Sequence, residues 1–383
     1  MVPAFSGSRN RRARGLLHWK HTVTAFPRVD LADQTLDELD AFVESLGHRR
    51  FHARQIFQWI WKRGVTDPAA MSDLPQTLRS ALEQQATVAT PTLLRAWQSE
   101  DGTRKFMLGL ADGRQIESVY IPDTPAQTFC ISTQVGCAMG CAFCLTGKMG
   151  LVRHLSAGEI AGQVRVLAGA TGLREAPFNI VLMGMGEPLH NYDATMRALG
   201  LLAAPQGLAM TARRVTLSTV GLVPMLDRLA TEPFMPNLAI SLHATTEAQR
   251  AAIVPPTKKY SLAEILEACR RFPVGRRNRI TFEYVMLAGV NDSPDDARRL
   301  ARLLEGIRGK VNLIPLNEAA GIPFDRPSDT RVSTFAGILA DRGVVVSVRK
   351  SRGRDIRAAC GQLIVEGHER RSPAQRLSEA MTS

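Results

Sequence analysis

From residue 128 to residue 348 the sequence alternates between short apolar runs and helical patterns, and this alternation restricts the fold more than any other feature. The runs are FCIS (129–132), NIVLM (179–183), RVTLS (214–218), LAISLH (238–243), ITFEYVML (280–287), KVNLIPL (310–316) and VVVSV (344–348). Helical periodicity fills the gaps near 193–203, 261–271, 295–306 and 331–341. A further helix opens on a capping box, Ser156 with Glu159, and continues through Ile160, Val164 and Leu167. Short apolar strands, each followed by a helix, imply a parallel sheet covered by helices. Six or seven such units predict a complete or partial α/β barrel over 128–364 rather than a doubly wound sheet. In a barrel, functional side chains gather at the carboxyl ends of the strands.

Three segments precede this core. Residues 1–29 hold six Lys or Arg and no Asp or Glu, and read as a flexible basic extension. Residues 30–95 read as a small helical domain. TLDELDAFVESLG (35–47) puts Leu36, Leu39, Phe42, Val43 and Leu46 on one face with Gly47 as a stop; HARQIFQWIWKRG (52–64) and LPQTLRSALEQQ (74–85) supply two more helices. Residues 96–127 read as a β segment, with turns at Asp101-Gly102 and Asp112-Gly113. The polar tail, 365–383, is expected to fray.

The charge balance is 48 Lys and Arg against 36 Asp and Glu, a net +12. A basic surface serves solubility or a polyanionic partner such as RNA. Arg49, Arg50, His52, Arg54, Trp59, Lys62 and Arg63 in the helical domain suit RNA; a charged outer face of an amphipathic helix pair is the plain alternative. No apolar run reaches the roughly 18 residues of a membrane span, and no secretory leader is evident, so a cytoplasmic protein without a membrane partner is expected.

Four of the six cysteines fall within CISTQVGCAMGCAFC (130–144). So few cysteines in a long chain make no disulfide framework, and the cluster reads as a metal site. Cys137, Cys141 and Cys144 form C-x3-C-x2-C. Three thiolates on a short loop can hold an iron–sulfur cluster with one iron left open, although clusters ordinarily take four. The alternative is structural zinc with Cys130 as fourth ligand.

Other polar residues sit at strand ends. MGMGEPLHN (183–191) offers Gly186 for close backbone approach and the Glu187 carboxylate for a cationic amine. Ser218, Ser241 with His243, and Asn317 follow later strands. Each alone is an ordinary structural polar group, but together at successive strand ends they point to ligand contact. Cys360 in SRGRDIRAACGQL reads by itself as a small buried hydrophobe, and Cys269 within a helix does so more strongly.

C-x3-C-x2-C directly after the first strand of a β/α repeat resembles the radical S-adenosylmethionine (SAM) superfamily, which implies a partial (β/α)6 barrel, a 4Fe-4S cluster and SAM bound at its open iron. The ordered motifs FHARQIFQWI, ESVYIP, CISTQVGCAMGCAFC, GMGEPLHN, RRVTLSTVG, SLHA, IVPPTKKY, FEYVML, VNLIPLN and RGRDIRAACGQL resemble the RlmN family of RNA (adenine-C2)-methyltransferases over about residues 31–364. The resemblance implies methylation of carbon 2 of an adenine in 23S rRNA and of an adenine beside the tRNA anticodon. It assigns Cys137, Cys141 and Cys144 to the cluster. Gly186, Glu187, Ser218, Ser241, Leu242, His243 and Asn317 fall to SAM.

The same resemblance makes Cys360 the methyl acceptor, Cys130 the resolving cysteine and Glu117 the proton acceptor. It further implies two SAM per turnover, a one-electron reductant such as flavodoxin, a transient Cys130–Cys360 disulfide and an unpaired target base. Cys269 and residues 1–29 fall outside it, and His190 stands where many relatives carry an apolar residue. Two alternatives stay open: a Cfr-type enzyme acting on carbon 8, and a non-catalytic, zinc-stabilised RNA-binding protein.

Overall fold

The computed structural model describes residues 1, 28–122, 127–275 and 278–365. The expected frayed tail beyond Val365, which is itself buried, and the basic extension apart from Met1, Arg28 and Val29, lie outside the described residues.

The helical segment forms as its periodicity predicts. A two-residue strand, β1 (Val29–Asp30), leads to α1 (Leu36–Ser45), α2 (Phe51–Gln58) and α3 (Gln76–Gln85), and β1 pairs in parallel with β2 (Ala86–Thr87). Thr35 and Glu38 close a capping box on α1. The expected second helix ends in a wider π turn, Trp59–Arg63, which Gly64 stops in the left-handed region at φ 70°. Leu39, Val43, Ile56, Phe57, Ile60 and Trp61 are buried.

Three antiparallel strands follow: β3 (Thr92–Gln98), β4 (Arg104–Gly109) and β5 (Gln115–Ile121). The β segment thus starts at Thr92, four residues before the expected boundary at 96. Gly102 and Gly113 make the predicted turns with positive φ. β5 pairs antiparallel with β6 (Thr128–Cys130), the first barrel strand, so extension and barrel share one sheet.

Beyond β6 a small hairpin, β7 (Gln134–Gly136) with β8 (Leu151–His154), encloses the cysteine loop and α4 (Leu145–Met149). Helix α5 (Ala157–Thr171), opened by the Ser156–Glu159 capping box, then returns the chain to β9 (Asn179–Leu182). The alternation continues through α6 (Tyr192–Ala203), β10 (Val215–Thr219), α7 (Val223–Leu229), β11 (Asn237–Ser241), α8 (Glu247–Ile253) and α9 (Leu262–Arg271). It closes with β12 (Ile280–Met286), α10 (Pro294–Leu303), β13 (Gly309–Pro315), α11 (Asp329–Asp341) and β14 (Val346–Val348). The ten-stranded sheet runs β14-β13-β12-β11-β10-β9-β6-β5-β4-β3, parallel from β14 to β6 and antiparallel beyond. This is the expected partial α/β barrel, open between β14 and β3.

Several expected strands are shorter than their apolar runs, most of all FCIS, LAISLH and VVVSV, which lose two residues each. Ile131 still bonds the neighbouring segment, its N–H to Val181 O at 3.0 Å and its O from Gly184 N–H at 3.1 Å, whereas Ser132 is drawn into a side-chain network: its N–H donates to Gln163 Oε1 and its Oγ accepts from the Met185 N–H, both at 2.8 Å. Only Val346–Val348 of VVVSV pairs with β13. The core lies between sheet and helices, with Leu217, Ile240, Phe282, Val311 and Leu313 buried; each such side chain contributes about 1.5–3 kcal/mol by leaving water.

Candidate active site

The carboxyl ends of the parallel strands open into a cavity lined by Cys137, Cys141 and Cys144, by Gly186, Glu187, Ser218, Ser241, His243 and Asn317, and by Cys360. Ten of the thirteen expected site residues therefore share one space. Leu242 is buried and lines none of it. Glu117 and Cys130 also lie outside its lining.

The cysteine loop is fixed by its backbone. Cys137 N–H donates to Gly150 O at 3.0 Å, Ala142 N–H to Ile253 O at 3.0 Å, and Cys144 N–H to Cys141 O at 3.1 Å. Gly136 has φ 75°, and a Cβ there would stand 1.9 Å from Gly150 O, so glycine is obligatory where the loop begins. The C-terminal segment docks on the same loop: Leu145 N–H donates to Gly361 O at 2.9 Å, and Thr146 Oγ1 to Leu363 O at 2.6 Å across 217 residues of sequence. Asn317 Nδ2 donates to the Cys360 carbonyl at 3.3 Å. These contacts bring Cys360 to the cysteine loop.

Burial pushes the Cys137 thiol up to about 12, that of Cys141 well above the usual thiol range, and that of Cys144 upward too. The charges of neighbouring cysteines add to the effect at Cys137 and Cys141. Three thiolates here need a positive partner, which an iron–sulfur cluster supplies. Among the described residues no group of three or more His, Cys, Asp or Glu is placed to hold one metal ion. Tetrahedral zinc would take four donors about 2.3 Å from a single point. In a cluster each thiolate takes a different iron, and no common point is needed. The donor set fits the cluster.

The remaining cavity groups suit a zwitterionic ligand. Glu187 follows Gly186, at φ 104°, where a Cβ would meet Gln134 at 2.6 Å. Its Oε1 accepts from Leu189 N–H at 3.0 Å and its Oε2 from Val220 N–H at 2.9 Å. Burial nevertheless raises the carboxyl to about 7, which leaves it ready to ionise against a cation. His243 sits in the left-handed region at φ 61° and stacks edge-on with Phe143 at 4.9 Å. Its Nδ1 accepts from Val285 N–H at 3.1 Å, and burial lowers its pKa to about 3. The ring is neutral, so Nε2 carries the proton and can only donate. Ser218 and Ser241 lie 3.3 Å apart through their hydroxyls. Asn317 Oδ1 is buried without a partner, an acceptor waiting for a donor.

All six cysteines are free thiols, so the expected Cys130–Cys360 disulfide is not a standing crosslink. Ser118 bonds Gln163 on α5, which puts the outer face of β5 at Ser118; Cys130, paired with Val119, therefore faces the barrel interior. Burial pushes the Cys130 thiol up to about 12, and the nearby Cys360 adds to this. Arg349 lies within electrostatic reach of Cys360, Glu283 and Cys130, and the charge of Cys360 above all tightens its proton.

Glu117 is buried on that interior face, with Oε1 2.9 Å from Lys105 Nζ and Oε2 accepting from Ile364 N–H at 2.9 Å. It lines a second cavity, to which the segment around Cys360 contributes Asp355, Ile356, Arg357 and Ile364. Sequence reasoning missed Lys105, Glu283, Arg349 and the fully buried Arg250. Arg250 ties strand ends together by donating to Leu242 O, Ser241 O, Val220 O and Thr257 Oγ1.

Comparison with known proteins agrees with this architecture. Residues 29–88 match the family described as the ribosomal RNA large subunit methyltransferase N-terminal domain, and residues 131–303 match the radical SAM superfamily. The chain is 50% identical over 338 residues to the dual-specificity RNA methyltransferase RlmN of Syntrophotalea carbinolica, covering 88% of this chain and 90% of the relative. It is 48% identical to the protein of the same name from Geobacter sulfurreducens, covering 88% and 92%. A crystal structure of a radical SAM methyltransferase from Sphaerobacter thermophilus superposes with a TM-score of 0.84 at 47% identity, covering 88% of this chain and 99% of that one. Among the described residues no helix is long and apolar enough to cross a membrane. The chain belongs to the RlmN family of dual-specificity radical SAM RNA methyltransferases.

Proposed function

We propose that the protein methylates carbon 2 of an adenine in 23S rRNA, and of an adenine beside the tRNA anticodon, through an S-methylcysteine at Cys360. The observation that carries this reading is the anchoring of the Cys360 segment to the cysteine loop, with Leu145 N–H on Gly361 O and Asn317 Nδ2 on Cys360 O. A methyl acceptor is useful only beside the place where SAM binds.

Carbon 2 of adenine is electron-poor and does not attack SAM as a nucleophile. Cys137, Cys141 and Cys144 would hold a 4Fe-4S cluster, which with SAM at its open iron supplies one-electron cleavage and a hydrogen-abstracting radical. Glu187 pairs with the ammonium of SAM. His243 Nε2–H, Ser218, Ser241, Asn317 Oδ1 and the backbone at Gly186 complete its orientation. Cys360 accepts a methyl group from one SAM, presents it for hydrogen abstraction by way of a second, and becomes bonded through that carbon to the base. Glu117 takes the carbon 2 proton. With the adduct's unpaired electron returned to the one-electron redox system that started the reaction, the Cys130 thiolate attacks the Cys360 sulfur: the S–S bond forms as the S–C bond breaks, and the departing methylene carbon takes up a proton to become the methyl group of the released RNA. The target adenine is unpaired, since its edge is closed off in a stack. The protein acts in the cytoplasm, with a one-electron donor such as flavodoxin.

Mass spectrometry of digested rRNA and tRNA, from cells with and without the gene, tests the reading. 2-Methyladenosine that depends on the gene is expected, and 8-methyladenosine would replace this proposal with carbon 8 chemistry. Cys130→Ala is expected to accumulate protein crosslinked to RNA, and Cys360→Ala to abolish methylation while leaving cluster content unchanged.

A further inference from the structure

Gln134 opens β7, three residues before Cys137, and is fully buried. Its backbone N–H and that of Thr133 donate to Met185 O, at 3.1 and 2.8 Å. Its side chain extends the contact two residues further, where Oε1 accepts from Glu187 N–H at 2.9 Å. Between these bonds lies Gly186, whose φ of 104° and missing Cβ let the turn press directly on Gln134. One residue of the hairpin that encloses the cysteine loop thus holds Met185, Gly186 and Glu187, the turn that presents the Glu187 carboxylate to the cavity lined by the three cysteines.

The other end of the amide is committed as well. Glu187 N–H can only donate, so the atom facing it is the oxygen and the opposite atom is the NH2 group. Nε2 lies 3.0 Å from His154 Nδ1 and 3.1 Å from His190 Nδ1, one ring for each of its hydrogens. Both rings therefore accept at Nδ1 and carry their proton on Nε2. They stand edge to face with centroids 5.1 Å apart. His154 lies directly across the hairpin on β8, and His190 closes the turn by donating its N–H to Glu187 O at 3.0 Å. A reversed amide would set NH2 against Glu187 N–H, donor against donor. Two ring acceptors at the far end hold the amide in the opposite, productive sense.

We propose that Gln134 is a positioning residue for SAM: it fixes the Glu187 backbone, and through it the carboxylate that meets the SAM ammonium, while His154 and His190 lock the orientation of its amide. Because the same hairpin bears Cys137, this amide also sets the ammonium partner relative to the cysteine loop. The inference rests on the proposed pairing of Glu187 with that ammonium.

The test is the affinity of the cluster-loaded protein for S-adenosylhomocysteine, which keeps the ammonium and has no methyl group to transfer, measured by titration calorimetry at pH 8 without RNA. Gln134→Met removes the acceptor at nearly constant volume and should weaken binding about tenfold, as expected when a buried N–H loses its partner. Glu187→Gln should weaken binding by itself. The two together should cost no more than about twofold beyond Glu187→Gln alone, because Gln134 acts through that carboxylate, whereas a general structural loss would add in full. Wild-type iron content and a melting temperature within a few degrees of wild type show that the site is assembled. His154→Ala with His190→Ala changes only exposed rings. That pair should weaken binding about threefold in the wild-type background and leave it unchanged in the Glu187→Gln background, and it decides the matter if Gln134→Met does not fold. Unchanged affinity in the deciding variant, or a loss that adds in full to that of Glu187→Gln, would overturn the positioning role. Wild-type affinity in Glu187→Gln would instead remove the ammonium pairing itself, and the proposal with it.

Discussion

Asn317 donates from Nδ2 to the carbonyl of Cys360 at 3.3 Å, while its Oδ1, buried in the same cavity, has no partner. One side chain thus fixes the segment bearing the methyl acceptor and presents a vacant acceptor to a ligand. A buried polar atom without a partner costs about 1–3 kcal/mol, which a ligand donor would recover. Asn317→Ala should therefore weaken SAM binding about tenfold, read by titration calorimetry, and slow methylation of Cys360, read by mass of the protein. Wild-type SAM affinity in this variant would contradict the role.

Much of this was legible in the sequence for a physical reason. The strand runs are nearly all-apolar because parallel strands are covered on both faces, and Ser156 and Glu159 announce a helix start through bonds that span only three residues. The C-x3-C-x2-C spacing is likewise local. Lys105, Arg250 and Arg349 were not legible because their partners are distant. Lys105 meets Glu117 only across a strand pair, and Arg250 acquires its function only when β10 and β11 end beside α8. The pairing of Cys360 with the cysteine loop came from family resemblance; no periodicity encodes a contact across more than 200 residues.

The start of the cysteine loop has no room for a side chain. Gly136 combines φ 75° with a would-be Cβ 1.9 Å from Gly150 O, across the β7–β8 hairpin. Gly136→Ala must push the two strands apart and carry Cys137 with them, since Cys137 N–H bonds Gly150 O at 3.0 Å. The expected result is folded protein that retains well under half of the wild-type iron after anaerobic reconstitution, with a melting temperature lower by several degrees, about 2 kcal/mol. Full iron content would refute the steric argument.

Lys105 and Glu117 form a buried ion pair at 2.9 Å. Removing one partner leaves a buried charge uncompensated, which typically costs about 3–5 kcal/mol, whereas removing both costs far less. Lys105→Met should lower the denaturation midpoint sharply, and the double variant Lys105→Met with Glu117→Leu should recover most of the stability. Equal destabilisation in the single and double variants would show that the pair is not coupled.

Glu187 gives SAM binding a pH dependence of known sign. Burial, the largest influence, raises its carboxyl to about 7, against the lowering effect of the Val220 and Leu189 N–H bonds and the Thr219 hydroxyl. An ammonium ligand requires the ionised form. Below pH 7 the ligand-free protein holds Glu187 mostly protonated, so SAM affinity should fall as pH drops from 8 to 6, approaching tenfold per pH unit below about 7, and should be flat above it. His243, lowered to about 3, stays neutral throughout this range and adds nothing. The effect on folding has the opposite direction: because the folded carboxyl lies above the ordinary 4.5, its contribution to the ligand-free fold is fully present below about 4.5 and is lost as pH rises through 7. SAM should then stabilise the protein more at pH 8 than at pH 6. Calorimetry in buffers of different ionisation enthalpy should show proton release on SAM binding near pH 6.5, and Glu187→Gln should abolish both the release and the slope. PH-independent SAM affinity in the wild type would remove Glu187 as the ammonium partner.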